Sequence, residues 1–274
     1  SLDRMGKIHN MIEGFKKARY SVIGFSDGDA KIDSGTYARA LETLSAADAA
    51  FLPPYYNRPP NLGSALVACY SNYFYFQGLA PLEMVRKINF CSGGFMIFKR
   101  KALEDIGGLE PFAHQMADDA SIGTALAKQG KKIRLVPHIL RIPSEPKSLC
   151  AGIRHMHRWA VIVGTFLPRF NWIMPITFLG FNATGLALLS LYLGKFAPLA
   201  LSIFLLAWGY RLISVMVQDW VVQKHLLPLW AYGFVILLDL SAFPGWCFCL
   251  FNRRIEWRGK VYRVKPGGEA IVIC

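Results

Sequence analysis

The sequence predicts an α/β domain that gives way, near Trp159, to a membrane-embedded half. Three observations carry this. Short apolar runs alternate with amphipathic helical stretches over residues 1–150. Beyond Trp159 the runs lengthen and shed their charges, until they match the ~20 residues that cross a bilayer. The chain then closes on Arg253, Arg254, Arg258, Lys260, Arg263 and Lys265, a cluster of the kind that stays on the cytoplasmic side of a membrane. A hydrophobic share of 53% and a mean hydropathy of +0.30 are too high for one ordinary soluble domain. The expected division is therefore residues 1–150, an interfacial segment 151–171, a membrane region 172–252 and a basic tail 253–274.

From Gly6 to Arg19, Ile8, Met11, Ile12 and Phe15 recur at helical spacing, and Tyr20 to Phe25 then reads as a buried parallel strand. Asp27 thus stands at a strand's carboxyl end, where open α/β sheets place their ligands. Ser34 is expected to cap a helix over Gly35 to Leu44, and Ala49 to Leu52 forms a short strand ended by Pro53-Pro54. Asn61 to Phe76 reads as one helix. Ile88 to Phe98 reads as a strand broken by Ser92-Gly93-Gly94, whose glycines let backbone approach a ligand. Lys101 to Ile106 is a short helix closed by Gly107-Gly108. Asp119 or its neighbour caps the next helix, Ala120 to Lys128, with Gly130 at its end and Lys132 to Val136 as a strand. No internal repeat interrupts this order. The chain starts with Ser1, and its first residues already look like the middle of a domain, so an amino-terminal truncation is expected.

In the second half, Trp172 to Leu193 carries no charge, and Phe196 to Val217 carries only Arg211, near an end where its long side chain can snorkel. Leu226 to Leu250 contains Asp239 and Pro244, and an unpaired carboxylate in hydrocarbon costs at least ~2.5 kcal/mol. Two spans plus a re-entrant or interfacial third segment spare Asp239 and keep the basic tail beside the α/β domain; a third full span is the alternative. Lys+Arg exceed Asp+Glu by 31 to 18, an excess suited to anionic headgroups. The basic residues flank hydrophobic runs and form no aromatic-laced stripe, which argues against nucleic acid. A transporter needs polar groups facing one another across several helices, and only Asp239 and Arg211 qualify. The six cysteines make no CxxC pair and match no His spacing, so neither zinc nor a disulfide framework is expected.

Three motifs carry chemistry. Asp27-Gly28-Asp29 offers two carboxylates that can seat a divalent cation against a diphosphate; solvated turn aspartates are the plain alternative. Asp118-Asp119 offers a carboxylate to take the proton of an attacking hydroxyl, or merely the acidic start of a helix. Both can hold, since a helix N-terminus lowers a carboxylate's pKa and keeps it an ionised base. In His155-Met156-His157-Arg158-Trp159, Arg158 can bind phosphate bidentately and Trp159 can pack on sugar, lipid or the bilayer interface; a membrane-flanking Arg-Trp belt is the alternative. His155 and His157 fall on different helix faces and make a poor joint metal site.

These motifs, in this order and over nearly the whole chain, resemble the ceramide glucosyltransferase family, membrane-bound inverting glycosyltransferases of the GT-A fold. Gly6-Lys7-Ile8-His9-Asn10-Met11 looks like the family's entry helix, Ser26-Asp27-Gly28-Asp29 its second aspartate motif and Asp118-Asp119 its third. His155 to Trp159 stands at its (Gln/Arg)-x-x-Arg-Trp signature, with His155 replacing the usual Gln or Arg, and Arg253 to Lys260 looks like its basic segment after the membrane. The resemblance implies a Rossmann-like GT-A domain, here without the family's first aspartate motif and amino-terminal anchor. It implies that Asp27 and Asp29 hold Mg²⁺ or Mn²⁺ with the diphosphate of a UDP-sugar, UDP-glucose foremost, and that Asp119 is the catalytic base. By the same resemblance His155, Arg158 and Trp159 help bind donor and acceptor, while Gly93, Gly94 and Asp118 line the pocket. The implied reaction moves a hexose to a lipid hydroxyl, ceramide or a similar long-chain lipid, in one inverting displacement at the cytoplasmic face. A hopanoid-lipid glycosyltransferase, a polysaccharide synthase and a non-catalytic membrane scaffold are the alternatives; a synthase needs more spans than two or three. Without the first aspartate motif, UDP binding by this chain is expected to be weak or absent.

Overall fold

The computed structural model describes residues 6–85, 88–166, 178–257, 259–265 and 267–273. Helix α1 (Gly6–Lys17) turns Ile8, Met11 and Ile12 into the core, as its spacing predicts. The central sheet has the order β1 (Val22–Ser26), β4 (Phe95–Lys99), β2 (Ala49–Leu52), β5 (Ile133–Leu135). Ala49, Phe51, Met96 and Phe98 join α1, together with Ile122 and Leu126 of α6 (Asp118–Lys128), on one face. Ala50, Leu52, Phe95 and Ile97 meet Ala40 and Leu44 of α2 (Ser34–Ser45) on the other. Both faces are covered, so β2 and β4 are apolar throughout rather than alternating.

Several expectations are corrected. The first strand is not a buried parallel one: β4 runs antiparallel to both β1 and β2, and β1 lies at the edge of the described sheet. An apolar run reports covered faces, not the direction of the neighbour. Regular strand begins only at Phe95, after the Ser92-Gly93-Gly94 break. The cap of α2 is Asp33 rather than Ser34, its Oδ1 accepting the Thr36 N–H at 2.6 Å. Neither Asp118 nor Asp119 caps α6; both lie in its first turn, after Ala117. The single helix expected over Asn61 to Phe76 is α3 (Leu62–Tyr70), a π-helical turn (Ser71–Tyr75) and α4 (Phe76–Met84). Pro54 does not merely end a strand, for β3 (Pro54–Asn57) pairs in parallel with β6 (Leu140–Pro143) in a second sheet. Between them, α5 (Arg100–Asp105) follows β4 as predicted.

Helix α7 (Leu149–Phe166) carries the His155–Trp159 motif and crosses α3 at glycine on both sides. A Cβ on Gly63 would stand 2.3 Å from Lys147 O, and one on Gly152 would stand 2.7 Å from Gly63 O. Side chains there would push α7 away from α3.

Among the described residues three apolar helices follow: α8 (Leu179–Leu193), α9 (Ala197–Gln223) and α10 (Gly233–Phe251). By length and composition, α9 and the stretch Leu229–Phe251 can cross a membrane, while α8 has 15 residues. The start of the expected Trp172–Leu193 span lies outside the described residues. Arg211 does not snorkel and Asp239 is not unpaired: both are buried, with Arg211 Nε 3.0 Å from Asp239 Oδ2. The objection to a full third span, an orphaned carboxylate, is therefore removed, and α10 runs on through Pro244. The basic tail has regular structure of its own. It folds as an antiparallel sheet, β7 (Arg254–Trp257), β8 (Lys260–Val264) and β9 (Ala270–Val272), whose Ile255, Tyr262 and Val264 enter the core that holds Ile8 and Phe51.

Candidate active site

β1 ends at Ser26, and the turn beyond it sets Asp27 at the rim of the sheet, its N–H donating to Gly94 O at 2.9 Å. That bond ties the first acidic motif to the glycine pair. Lys7, from the first turn of α1, reaches the same point: its Nζ lies 2.7 Å from Asp27 Oδ1 and donates to Gly93 O at 3.4 Å. α6 closes the cluster, because a Cβ on Gly93 would stand 2.6 Å from Lys7 Nζ and 2.9 Å from Asp119 Oδ2. A side chain at Gly93 would displace the charged ends of Lys7 and Asp119.

Burial opposes the Lys7 ammonium, yet Asp118, Asp119 and Asp27 surround it and hold its pKa above lysine's ordinary value. Asp118 is 7% exposed, and its Oδ2 has no hydrogen-bond partner among the described residues. Burial, and then the charge of Asp119, push its pKa up to about 7 against the pull of Lys7. Asp119 accepts the Ala120 N–H at 2.8 Å, but burial raises its pKa too, with Lys7 and the backbone donors opposing. This corrects the expectation that the helix N-terminus holds it low: desolvation outweighs Lys7 and the backbone donors.

Asp29, two residues beyond Asp27, is exposed on the same turn. Opposite it stands Tyr56 of β3, whose hydroxyl pKa is raised by burial and by Asp29 and Asp27, with Arg158 opposing. Tyr56 therefore lies between the acidic cluster and α7. Its ring is 6.4 Å from that of Trp159, which stacks on Tyr70 at 6.0 Å and meets His155 edge-on at 4.3 Å. Arg158 lies over the ring of Trp257 at 5.9 Å. Burial and the neighbouring Arg158 push the His155 pKa down to about 4, so at neutral pH its ring is uncharged. His157 turns instead to Phe248, 5.4 Å away.

The residues singled out from the sequence, from Asp27 and Asp29 through Gly93, Gly94, Asp118 and Asp119 to His155, Arg158 and Trp159, all line one cavity of about 2630 Å³. It continues past Gln77 and Arg211 to Asp239 and Trp246 on the apolar helices. Among the described residues no three His, Cys, Asp or Glu side chains gather as a metal site. Asp27 and Asp29 still fit Mg²⁺ or Mn²⁺ of the kind held by one or two carboxylates and completed by substrate phosphates and water. Asp27 already pairs with a cation, the Lys7 ammonium, and Asp29 is open to solvent.

Two site residues escaped the sequence reading. Lys7 was seen only as part of a motif, although it stands four residues before buried Met11 and so shares the inward face of α1, where a charge needs a partner. Tyr56 follows Pro53-Pro54, which read as a strand end and nothing more.

A family model described as glycosyl transferase family 21 matches residues 4–270. The chain belongs to glycosyl transferase family 21. It is similar to ceramide glucosyltransferase 3 of Caenorhabditis elegans, 22% identical over 285 residues, which cover 97% of this chain and 58% of that protein. It is also similar to ceramide glucosyltransferase 1 of Caenorhabditis elegans, 24% identical over 181 residues, which cover 62% of this chain and 37% of that one. The chain thus spans a little over half the length of the first relative and about a third of the second. Among solved structures it is similar to S. aureus TarS 1-349 in complex with UDP-GlcNAc, with a TM-score of 0.34 and 14% identity over 96% of this chain and 78% of that one.

Proposed function

We propose that this chain forms the catalytic region of a membrane-bound inverting glycosyltransferase that moves a hexose from a UDP-sugar, UDP-glucose foremost, to the hydroxyl of a ceramide-like lipid. One observation carries the reading: Asp27, Asp119 and Lys7 meet around Gly93 in a cavity that runs on to α9 and α10. The family, and the names of the two nematode relatives, support hexose transfer to ceramide.

As the glycosidic bond breaks, its electron pair leaves on the diphosphate, whose charge rises. Lys7 and Arg158 line the cavity and can meet that charge, Arg158 bidentately. Asp27 and Asp29 would hold Mg²⁺ or Mn²⁺, which would supply further neutralisation at the diphosphate. Asp119 takes the proton of the acceptor hydroxyl as that oxygen attacks the anomeric carbon, and its raised pKa strengthens it as a base once ionised. Attack from the face opposite the leaving group inverts the anomeric configuration. Trp159, stacked on Tyr70, offers a flat apolar surface to sugar or acceptor.

A bilayer seat suits the apolar helices, whose Leu206 and Trp220 are 72% and 61% exposed. The basic strands that follow α10 favour the cytoplasmic side for the α/β domain. The test is to incubate the full-length protein in lipid nanodiscs with a panel of UDP-hexoses and membrane lipids and to identify products by mass spectrometry. Hexosylceramide from UDP-glucose is expected. Failure of every UDP-hexose to label any lipid would overturn the proposal, while labelling of a hopanoid alone would reassign the acceptor.

A further inference from the structure

We infer that the segment Gly267 to Ala270, which leads from β8 into the first residue of β9, is a positioning strap that fixes the helix bearing Asp119 relative to the helix bearing Arg158. This rests on the reading of Asp119 as the base. The first turn of α6 has no side-chain cap to locate it, since Ala117 stands at the cap position. Its lead-in loop is held from outside instead. Met116 N–H donates to Gly268 O at 3.0 Å, Ala270 N–H donates to His114 O at 3.2 Å, and Gln115 and Glu269 are bridge partners. The same segment turns to α7, where Gly267 N–H donates to Thr165 O at 3.3 Å.

Both glycines sit in the left-handed region, with φ of 91° at Gly267 and 90° at Gly268, which lets the chain bend sharply between its two partners. The strap is rooted at both levels. Ile255, Tyr262 and Val264 anchor the small sheet in the core, and Trp257 lies under Arg158 at 5.9 Å. One short stretch of backbone therefore sets the spacing between the base and the arginine. Transfer needs that spacing closely kept, because a displacement of ~1 Å can cost on the order of 10²-fold in rate.

Ala270→Pro removes the N–H that holds His114 O, while Ala270→Ser keeps it. In the full-length protein in nanodiscs, A270P is expected to lower kcat about 10- to 100-fold, with the KM for UDP-glucose and the unfolding temperature matching those of A270S. An unchanged kcat, or a loss that merely follows the unfolded fraction, overturns the inference. Should A270P fold poorly, the double variant Gln115→Cys with Glu269→Cys gives an independent reading. Locking the strap by oxidation is expected to preserve turnover. Inactivation on oxidation, reversed by a reductant, would show a moving gate and overturn a fixed strap. Absence of transfer by the unsubstituted protein fails the parent proposal; transfer that A270P leaves untouched fails this inference alone.

Discussion

Around Gly93, three carboxylates share one ammonium, and the balance among them decides the site's behaviour with pH. Asp118 has an ordinary carboxyl pKa of 3.8 when unfolded and about 7 in the folded chain. The folded state therefore binds the proton more tightly, and the contribution to stability is full below the unfolded value and lost as pH rises toward 7. Unfolding temperatures measured from pH 4 to 8 are expected to fall across that window in the native chain, and Asp118→Asn should flatten the slope. A slope unchanged by the substitution would contradict the buried placement of Asp118. The sequence exposed the acidic pairs and the strand end beneath Asp27. It did not expose the sign of the pKa shift, because burial is decided by the Lys7 helix and the glycine turn, which lie far from Asp118 along the chain.

Between the α/β domain and α9 the contact is made by side chains meeting a distorted helix. In the π-helical turn, carbonyls leave the regular ladder, and α9 uses them: Gln218 Nε2 donates to Asn72 O at 2.8 Å and Arg211 Nη2 to Tyr73 O at 3.1 Å. Asp219, wholly buried, accepts from Tyr55 at 2.7 Å, from Tyr73 and Tyr232 at 2.5 Å each, and from Gln223 at 3.0 Å. Asp219→Ala strands several buried donors at ~1–3 kcal/mol each. It should therefore cost far more stability than Tyr55→Phe, which removes one donor for about 1 kcal/mol. Thermal unfolding of the two variants in the same nanodiscs checks the ranking, and equal losses would contradict the network. The Asn61–Phe76 run looked like one helix because its apolar periodicity is real. The extra residue of the π turn answers to partners on α9, which no local window contains. The parallel direction expected for β1 failed likewise, since its partner β4 lies beyond six intervening elements.

On the scale of the whole molecule, the polar pair Arg211 and Asp239 joins α9 and α10 to the α/β domain, with Arg211 Nη1 also 2.6 Å from Gln77 Oε1 on α4. Removing either partner alone leaves a buried charge, at about 3–5 kcal/mol. The double variant Arg211→Leu with Asp239→Leu is expected to lose less than the two single losses summed, and additive losses would deny the coupling. Composition alone separated the two halves of the chain. The pairing that holds them together was hidden, because a lone arginine and a lone aspartate in separate apolar runs each read as an exception. Both halves contribute to one cavity, and the central claim is that its acidic end performs sugar transfer. Single-turnover transfer from UDP-glucose to ceramide, measured for the full-length protein and its Asp119→Asn variant side by side, tests that claim directly. The predicted result is a loss of about 10²- to 10⁴-fold with circular dichroism and membrane insertion unchanged; equal rates would contradict it.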